Sequence, residues 1–375
     1  MLSRRMQRVK LLLSIFLLSL SLVPNSVPAE EAAPSVTAKG AILIEASSGR
    51  ILYEKNADGL FEPASTTKIM TAIVAIESGD SNQIVRVSEK AANTEGSSIY
   101  LSSGESISLE DLLYGLMLQS GNDAAVAIAE AVGGSVEAFV RMMNDKAALL
   151  GLKHTHFENP NGLHVEGHNT TARELCAIAS YAMQNERFRT IVSTKTWVAK
   201  SSFVPRTFQN KNKFLSTYEG YNGVKTGYTK AAGKCLVFSA KRDEMQLIGV
   251  VLKASDMWND AKTLLDYGFD TYEMCPVATI NDHFSVNVRN GAKKSLLASP
   301  IQDILYPVRS DGTETLSVSK SCVQMVTAPV AKEQRLGTIR VVLNGETLFE
   351  IPIVADDEVS QKRYSDSLME LIRSW

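Results

Sequence analysis

The order of periodicities constrains this chain most. Alternating, strand-like segments come first and return last, with a block of helical signals between them. "AILIEASSGRILYEK" (41–55) reads as two short strands around a Ser-Ser-Gly turn. Helical patterning then takes over. The stretch 65–78 stops at Gly79, and Ser108 with Asp111 three residues on opens a second helix. Helices near 123–131 and 136–150 are punctuated by Gly133-Gly134 and Gly151, and Thr171-Ala-Arg-Glu174 is a capping box. Strands resume in "GVKTGYT", "KCLVFSA" and "MQLIGVVL" (223–252), before a further helix over 256–272. Strands outside and helices inside predict an α+β fold, in which one antiparallel sheet is built from both ends of the domain.

At 375 residues the chain has room for two domains. Past Cys275-Pro276 the texture changes to short alternating segments, "FSVNV", "TLSVS" and "GTIRVVLNGETLFEIPIV", and Asn344-Gly345 is a strong hairpin signal. The reading is a first domain over 30–275 and a small all-β domain over 276–358. Before them, residues 1–29 read as a secretory signal: Arg4, Arg5, Arg8 and Lys10, an apolar run from Leu11 to Val23, then Val27-Pro28-Ala29. That run is short for a spanning helix. Cleavage after Ala29 takes the formal charge from −2 to −6, which argues against a nucleic-acid partner. The four cysteines (176, 235, 275, 322) are widely spaced and read as small apolar residues. Over 359–375, Tyr364, Leu368, Leu371, Ile372 and Trp375 fall at helical spacing, as in an amphipathic helix lying in a membrane surface.

The chemistry starts at "FEPASTTKIMTAIVAIESG" (61–79), where Ser65 and Lys68 open an otherwise apolar helix. Ser-x-x-Lys alone means little, since Ser317-Val-Ser-Lys320 is a second copy. On a strand, an odd offset sends two side chains to opposite faces. On a helix, i and i+3 share a face, so the amine at 68 can reach the hydroxyl at 65. A partly desolvated lysine can lose its proton and serve the serine as general base. The free N–H groups of a first helical turn suit an oxyanion. Ser120-Gly121-Asn122, at a break between helices, offers a hydroxyl to relay a proton and an amide to hold a substrate; Ser285-Val-Asn287 repeats the spacing in the β region. Lys225-Thr226-Gly227 occurs once, at the start of a probable strand. It offers a cation and a hydroxyl to a carboxylate, and a glycine against whose backbone a substrate can lie.

Ser-x-x-Lys, Ser-x-Asn and Lys-Thr-Gly in that order resemble the motifs of penicillin-binding proteins and class A β-lactamases. "PASTTKIMTA", "GLMLQSGNDAAVAIAE", "FENPNGL" and "GVKTGYT" are similar to the low-molecular-mass penicillin-binding proteins, the serine D-alanyl-D-alanine carboxypeptidases. The resemblance covers essentially the whole chain after the signal. It implies a β-lactamase/transpeptidase-like catalytic domain followed by a β-rich one. It implies that Ser65 is acylated by a peptidoglycan stem peptide ending in D-Ala-D-Ala, with Lys68 as base and Ser120 as proton relay. Asn122 then holds the peptide, Lys225 and Thr226 bind the terminal carboxylate, and the N–H groups of Ser65 and Tyr228 form the oxyanion hole. Penicillins would acylate the same serine. No metal or organic cofactor is implied, and the C-terminal segment resembles the family's membrane anchor, so the protein is expected outside the cytoplasmic membrane, on its surface or secreted.

Four other readings compete. A class A β-lactamase needs a glutamate placed to activate the deacylating water; Glu158 is present, without the Glu-x-x-Leu-Asn wording. A zinc peptidase is suggested by His164 and His168, but Gly162, Gly167 and Asn169 point to a loop, where two histidines four apart do not converge. A wall-binding protein without turnover does not need Ser65, Lys68, Ser120, Asn122 and Lys225 intact. A transpeptidase or endopeptidase of the same superfamily shares the motifs.

Overall fold

In the computed structural model, residues 33–363 are described. Five strands form one antiparallel sheet: β1 (Gly40–Glu45), β2 (Ile51–Lys55), β3 (Tyr221–Thr229), β4 (Gly233–Arg242) and β5 (Met245–Ala254). Their order across the sheet is β2-β1-β5-β4-β3, so the N-terminal hairpin pairs with the last strand, Gly40 opposite Leu252. The sheet is thus drawn from both ends of the domain, as the order of periodicities predicts. Glu45 is buried and closes the β1–β2 turn by accepting from the N–H and hydroxyl groups of Ser47 and Ser48.

The helical block covers one face. Its centre is α1 (Lys68–Ser78), whose Ile69, Met70, Ala72, Ile73 and Ala75 are fully buried. Around it pack α2 (Asn122–Gly133), α3 (Val136–Leu149) and α4 (Ala172–Gln184). A helix apolar on nearly every side has to sit in the middle of a domain. Truncating Ile73 to alanine would leave a cavity there at a cost of about 2–5 kcal/mol. Ser135 and Thr171 cap α3 and α4 by accepting from Ala138 N and Glu174 N, but the Glu174 carboxylate accepts from Lys153 N, His154 N and Thr155 Oγ1, so only the N-cap half of the expected capping box is seen. The other face of the sheet is covered by α5 (Met257–Thr271) and its own apolar cluster, including Leu264, Leu265 and Phe238.

Helix α5 runs without a loop into the strand Tyr272–Ala278, which pairs with Ile304–Arg309. A six-stranded sheet follows, built on a separate core that includes Val286, Ile339 and Ile353. Arg335–Leu343 and Glu346–Ala355 form the expected hairpin, with Asn344 (φ 52°) and Gly345 (φ 88°) in its turn. Arg50, beside the β1–β2 turn, reaches this part of the chain: it donates to Pro307 O, pairs with Glu314 and lies over the rings of Tyr272 and Tyr306.

Two expectations need correction. The first residues of the predicted C-terminal helix are not helical: Val359 is buried and exchanges hydrogen bonds with Val330, and Lys362 N donates to Asn290 O. The rest of that helix and the predicted signal lie outside the described residues. Of the four cysteines, only Cys176 and Cys235 behave as core residues, while Cys275 and Cys322 are half-buried; all four are free thiols.

Candidate active site

Ser65 does not sit on α1 itself. It lies in a 3-10 turn, Ala64–Thr67, that precedes the helix, and Ala64 adopts φ 48°. Positive φ at a non-glycine residue is strain that surrounding structure must hold in place. The tighter turn still leaves Ser65 and Lys68 on one side, and Lys68 Nζ is 3.0 Å from Ser65 Oγ.

Lys68 is fully buried. Its Nζ also donates to Asn122 Oδ1 (2.7 Å) and to Asn161 O (2.6 Å). All three N–H directions of an ammonium are therefore used, by Ser65, by the start of α2 and by the 157–168 loop. Burial pushes the Lys68 amine well below its usual value, and the cations Lys225 and Lys211 push the same way, while the buried Asp123 opposes them. Once the proton has left, the lone pair on Nζ faces the Ser65 hydroxyl at hydrogen-bonding distance.

Ser120 and Asn122 flank a helix break. A π-helical turn, Gly115–Gln119, ends at Ser120 in the left-handed conformation (φ 63°), and α2 begins at Asn122. Asn122 is held on three sides: its N–H donates to Ser97 O (2.6 Å), its Nδ2 to Glu95 O (2.6 Å), and its Oδ1 accepts from Lys68.

Lys225, Thr226, Gly227 and Tyr228 lie in the middle and second half of β3, not at its start. Although β3 is the outermost strand of the sheet, Lys225 is only 2% exposed, so it differs from an ordinary solvated edge lysine. Burial, reinforced by Lys211, lowers it to about 7, and its Nζ donates to Thr226 O. Gly227 has a role beyond the one expected of it. A Cβ there would stand 3.1 Å from Thr66 N and 3.2 Å from Ser65 N, so its bare backbone lets the protein's own nucleophile turn come close. Tyr228, next along, is 67% exposed, and the Ser65 and Tyr228 N–H groups therefore belong to two segments in direct contact.

Sequence reasoning did not name Asn161, and it named His168 only as a candidate zinc ligand beside His164. The 157–168 loop is tied to the nucleophile turn at several points: Asn161 O takes the Lys68 hydrogen bond and Pro160 O accepts from Thr71 Oγ1 (2.6 Å). His168 Nε2 lies 2.8 Å from Thr67 Oγ1 while Nδ1 accepts from Glu158 N, so the ring proton sits on Nε2 and is donated to Thr67. Burial lowers His168 to about 4, which keeps it neutral. At Gly162 (φ 84°) a Cβ would fall 1.9 Å from Ala64 O. The loop's glycine and asparagines were visible in "FENPNGL", but a backbone carbonyl leaves no signature in residue types. Glu158 pairs with His156 and His164 with Glu62, so this loop brings a carbonyl, and no carboxylate of its own, to Lys68.

The D-alanyl-D-alanine carboxypeptidase (peptidase S11) family model matches residues 27–256, and the C-terminal domain of penicillin-binding protein 5 matches residues 272–361. D-alanyl-D-alanine carboxypeptidase DacF of Bacillus subtilis is 35% identical over 351 residues, 90% of each chain. Among solved structures, penicillin-binding protein 5 from Haemophilus influenzae superposes with a TM-score of 0.75 at 28% identity, over 88% of this chain and 99% of that one. The Streptomyces K15 DD-transpeptidase gives a TM-score of 0.61 at 36% identity, over 64% of this chain and 99% of that one. With its Ser65–Lys68 pair, its buried Lys225 and its appended β domain, the chain belongs to the peptidase S11 family of D-alanyl-D-alanine carboxypeptidases.

Proposed function

We propose that this protein is a serine D-alanyl-D-alanine carboxypeptidase that trims peptidoglycan stem peptides through an acyl-enzyme at Ser65. The observation that carries the reading is the 3.0 Å contact between Ser65 Oγ and the Lys68 Nζ, whose proton is destabilised first by full burial and then by two neighbouring cations. In acylation, Ser65 Oγ attacks the carbonyl of the penultimate D-alanine and its proton moves to Lys68 Nζ. The tetrahedral oxyanion lies between the N–H groups of Ser65 and Tyr228. The C–N bond breaks as Ser120 gives a proton to the departing D-alanine nitrogen, and the Lys68 ammonium restores the Ser120 hydroxyl. Lys225 and Thr226 hold the terminal carboxylate, whose negative charge favours the protonated Lys225. Asn122 holds the peptide. Water then attacks the ester, returns the Ser65 hydroxyl and releases the shortened stem.

A penicillin opens at the same serine, but its leaving nitrogen stays attached through the ring, so the adduct keeps the whole mass of the drug. Mass spectrometry after incubation with benzylpenicillin should show that mass on the Ser65 peptide, and none in Ser65→Ala. An unmodified Ser65 in the wild type sinks the reading. A second reading, transfer of the acyl group to an amine, is supported by the likeness to a DD-transpeptidase. It shares every step up to the acyl-enzyme, and product analysis with and without an added amine separates the two.

Export and attachment to the outer face of the cytoplasmic membrane rest on the basic-apolar N-terminus with its Val27-Pro28-Ala29 and on the helical spacing of Tyr364, Leu368, Leu371, Ile372 and Trp375. Deleting 364–375, which leaves the bridged Val359 in place, should move the protein from the membrane to the soluble fraction. Unchanged fractionation refutes the anchor.

A further inference from the structure

One buried polar contact at the nucleophile turn takes no part in the acylation steps. Thr67 occupies the N-cap of α1, between Ser65 and Lys68, yet its hydroxyl makes no hydrogen bond to the N–H groups of its own helix. Ser135 and Thr171, in the same position on α3 and α4, do cap theirs. The Thr67 hydroxyl is turned instead to His168 Nε2, 2.8 Å away. Both residues are buried, Thr67 completely and His168 to 3% exposure. The two ring nitrogens have opposite tasks: Nδ1 accepts from Glu158 N at 3.1 Å, so Nε2 carries the proton and points it at Thr67. The backbone that carries the ring is itself fixed. His168 N donates to Val165 O, Asn169 exchanges hydrogen bonds with His156, and Thr170 exchanges them with Phe61, just upstream of the nucleophile turn. The Phe157 ring meets the imidazole edge-on, with centroids 5.8 Å apart.

Stability alone does not call for this pair. Replacing both partners of a buried hydrogen bond by apolar groups of the same shape can leave stability nearly unchanged. What the hydrogen bond adds is direction, and direction matters here because the turn is held against its own preference, with Ala64 at φ 48°. The 157–168 loop already grips Lys68 and Thr71 through Asn161 O and Pro160 O. Those contacts fix the lysine side of the Ser65–Lys68 pair, and His168 takes hold of the turn that carries the serine. A rotation of the 3-10 turn that moved Ser65 Oγ off Lys68 Nζ would also pull the Thr67 hydroxyl away from a ring whose own backbone is tied down. We propose that His168 is a positioning residue for acylation: through Thr67 it sets the rotation of the turn that keeps Ser65 Oγ on Lys68 Nζ. The inference rests on the carboxypeptidase reading and deepens it. Because His168 acts through Thr67 and not on the reacting atoms, its loss lowers the rate at which bound ligand acylates Ser65 and leaves the preceding binding step alone.

Stopped-flow acylation of the full-length protein by benzylpenicillin separates the dissociation constant of the first complex from the limiting rate of Ser65 modification. His168→Phe fills the space of the ring and removes both hydrogen bonds. Its limiting rate should fall by about 30-fold, the scale of a small misplacement of reacting groups, with the dissociation constant unchanged within about twofold. His168→Gln, whose amide can donate to Thr67 and accept from Glu158 N, should recover the rate to within about threefold of the wild type. Thr67→Val removes the acceptor from the other side and should lose as much as His168→Phe. The double variant should be no slower than either single one, because the same interaction is broken in each. A His168→Gln as slow as His168→Phe overturns the inference, since the ring then only fills space. So does a His168→Phe loss that falls on the dissociation constant, or single losses that multiply in the double variant. Should His168→Phe fail to fold, Thr67→Val against Thr67→Ser carries the same test: only the valine should slow the limiting rate, and equal rates overturn the inference. A wild type that benzylpenicillin does not label at Ser65 removes the carboxypeptidase reading itself, and the positioning role with it.

Discussion

The chain carries Ser-x-x-Lys twice, and the two copies differ in everything except spacing. Ser65 and Lys68 meet at 3.0 Å at the head of α1, where the lysine is fully buried. Ser317 and Lys320 stand on an exposed outer strand, Leu316–Cys322, and Lys320 reaches away to pair with Asp282 at 2.6 Å. The surroundings, not the motif, turn a lysine into a base. Burial at 68 works against the ammonium, and Lys225 and Lys211 repel it, whereas Lys320 is partly exposed and paired with a carboxylate.

Substitutions break this comparison in a graded way. Lys68→Ala should slow acylation of Ser65 by penicillin by about 10³-fold, the scale of a lost general base, whereas Lys320→Ala should leave the rate within about twofold. Stopped-flow measurement of both variants checks this, and similar rates would contradict it. Gly162→Ala comes next. Its Cβ meets Ala64 O and its φ of 84° disfavours any side chain, so the 157–168 loop must shift and carry Asn161 O off Lys68. Acylation should fall by about 10²-fold, along with a lower thermal midpoint.

Smaller again is Gly227→Ala, where a 3.1 Å contact with Thr66 N asks β3 to yield by a few tenths of an ångström. About a tenfold loss in acylation is expected, and an unchanged rate would mean the strand and the nucleophile turn are not held in register. Least of all, removing the Lys320–Asp282 pair should change stability by only about 0–1 kcal/mol in a denaturant titration, since both side chains are partly in water.

How legible this was depends on the kind of information involved. The α+β layout could be read because strand and helix leave different periods in the residues, and Asn344-Gly345 announced its hairpin. The meeting of Ser65, Lys68 and Asn122 was readable because each side chain carries its own chemistry. Two features were not readable, for one physical reason: they are contacts made by backbone or by empty space. Asn161 contributes a carbonyl that any residue has. Gly227 is bare so that the protein's own turn can approach it. The segment 359–363 misled because helical spacing of apolar residues does not reveal that a neighbouring strand claims Val359 first.

The pH dependence of acylation tests the central claim most directly. Lys68 must be neutral to act, so the second-order rate of Ser65 modification by penicillin should climb as pH rises through its lowered value and level off well short of 10.5. Lys225 must be charged to hold the carboxylate, so the rate should decline as pH rises past about 7 in the free enzyme. In Lys225→Arg, which stays charged, that decline should vanish while the acidic limb persists. A bell with both limbs well below the ordinary lysine range is the predicted profile. A wild-type rate that is still rising towards pH 10.5 would show that Lys68 keeps its proton, and would contradict the claim that burial among cations makes it the base for Ser65.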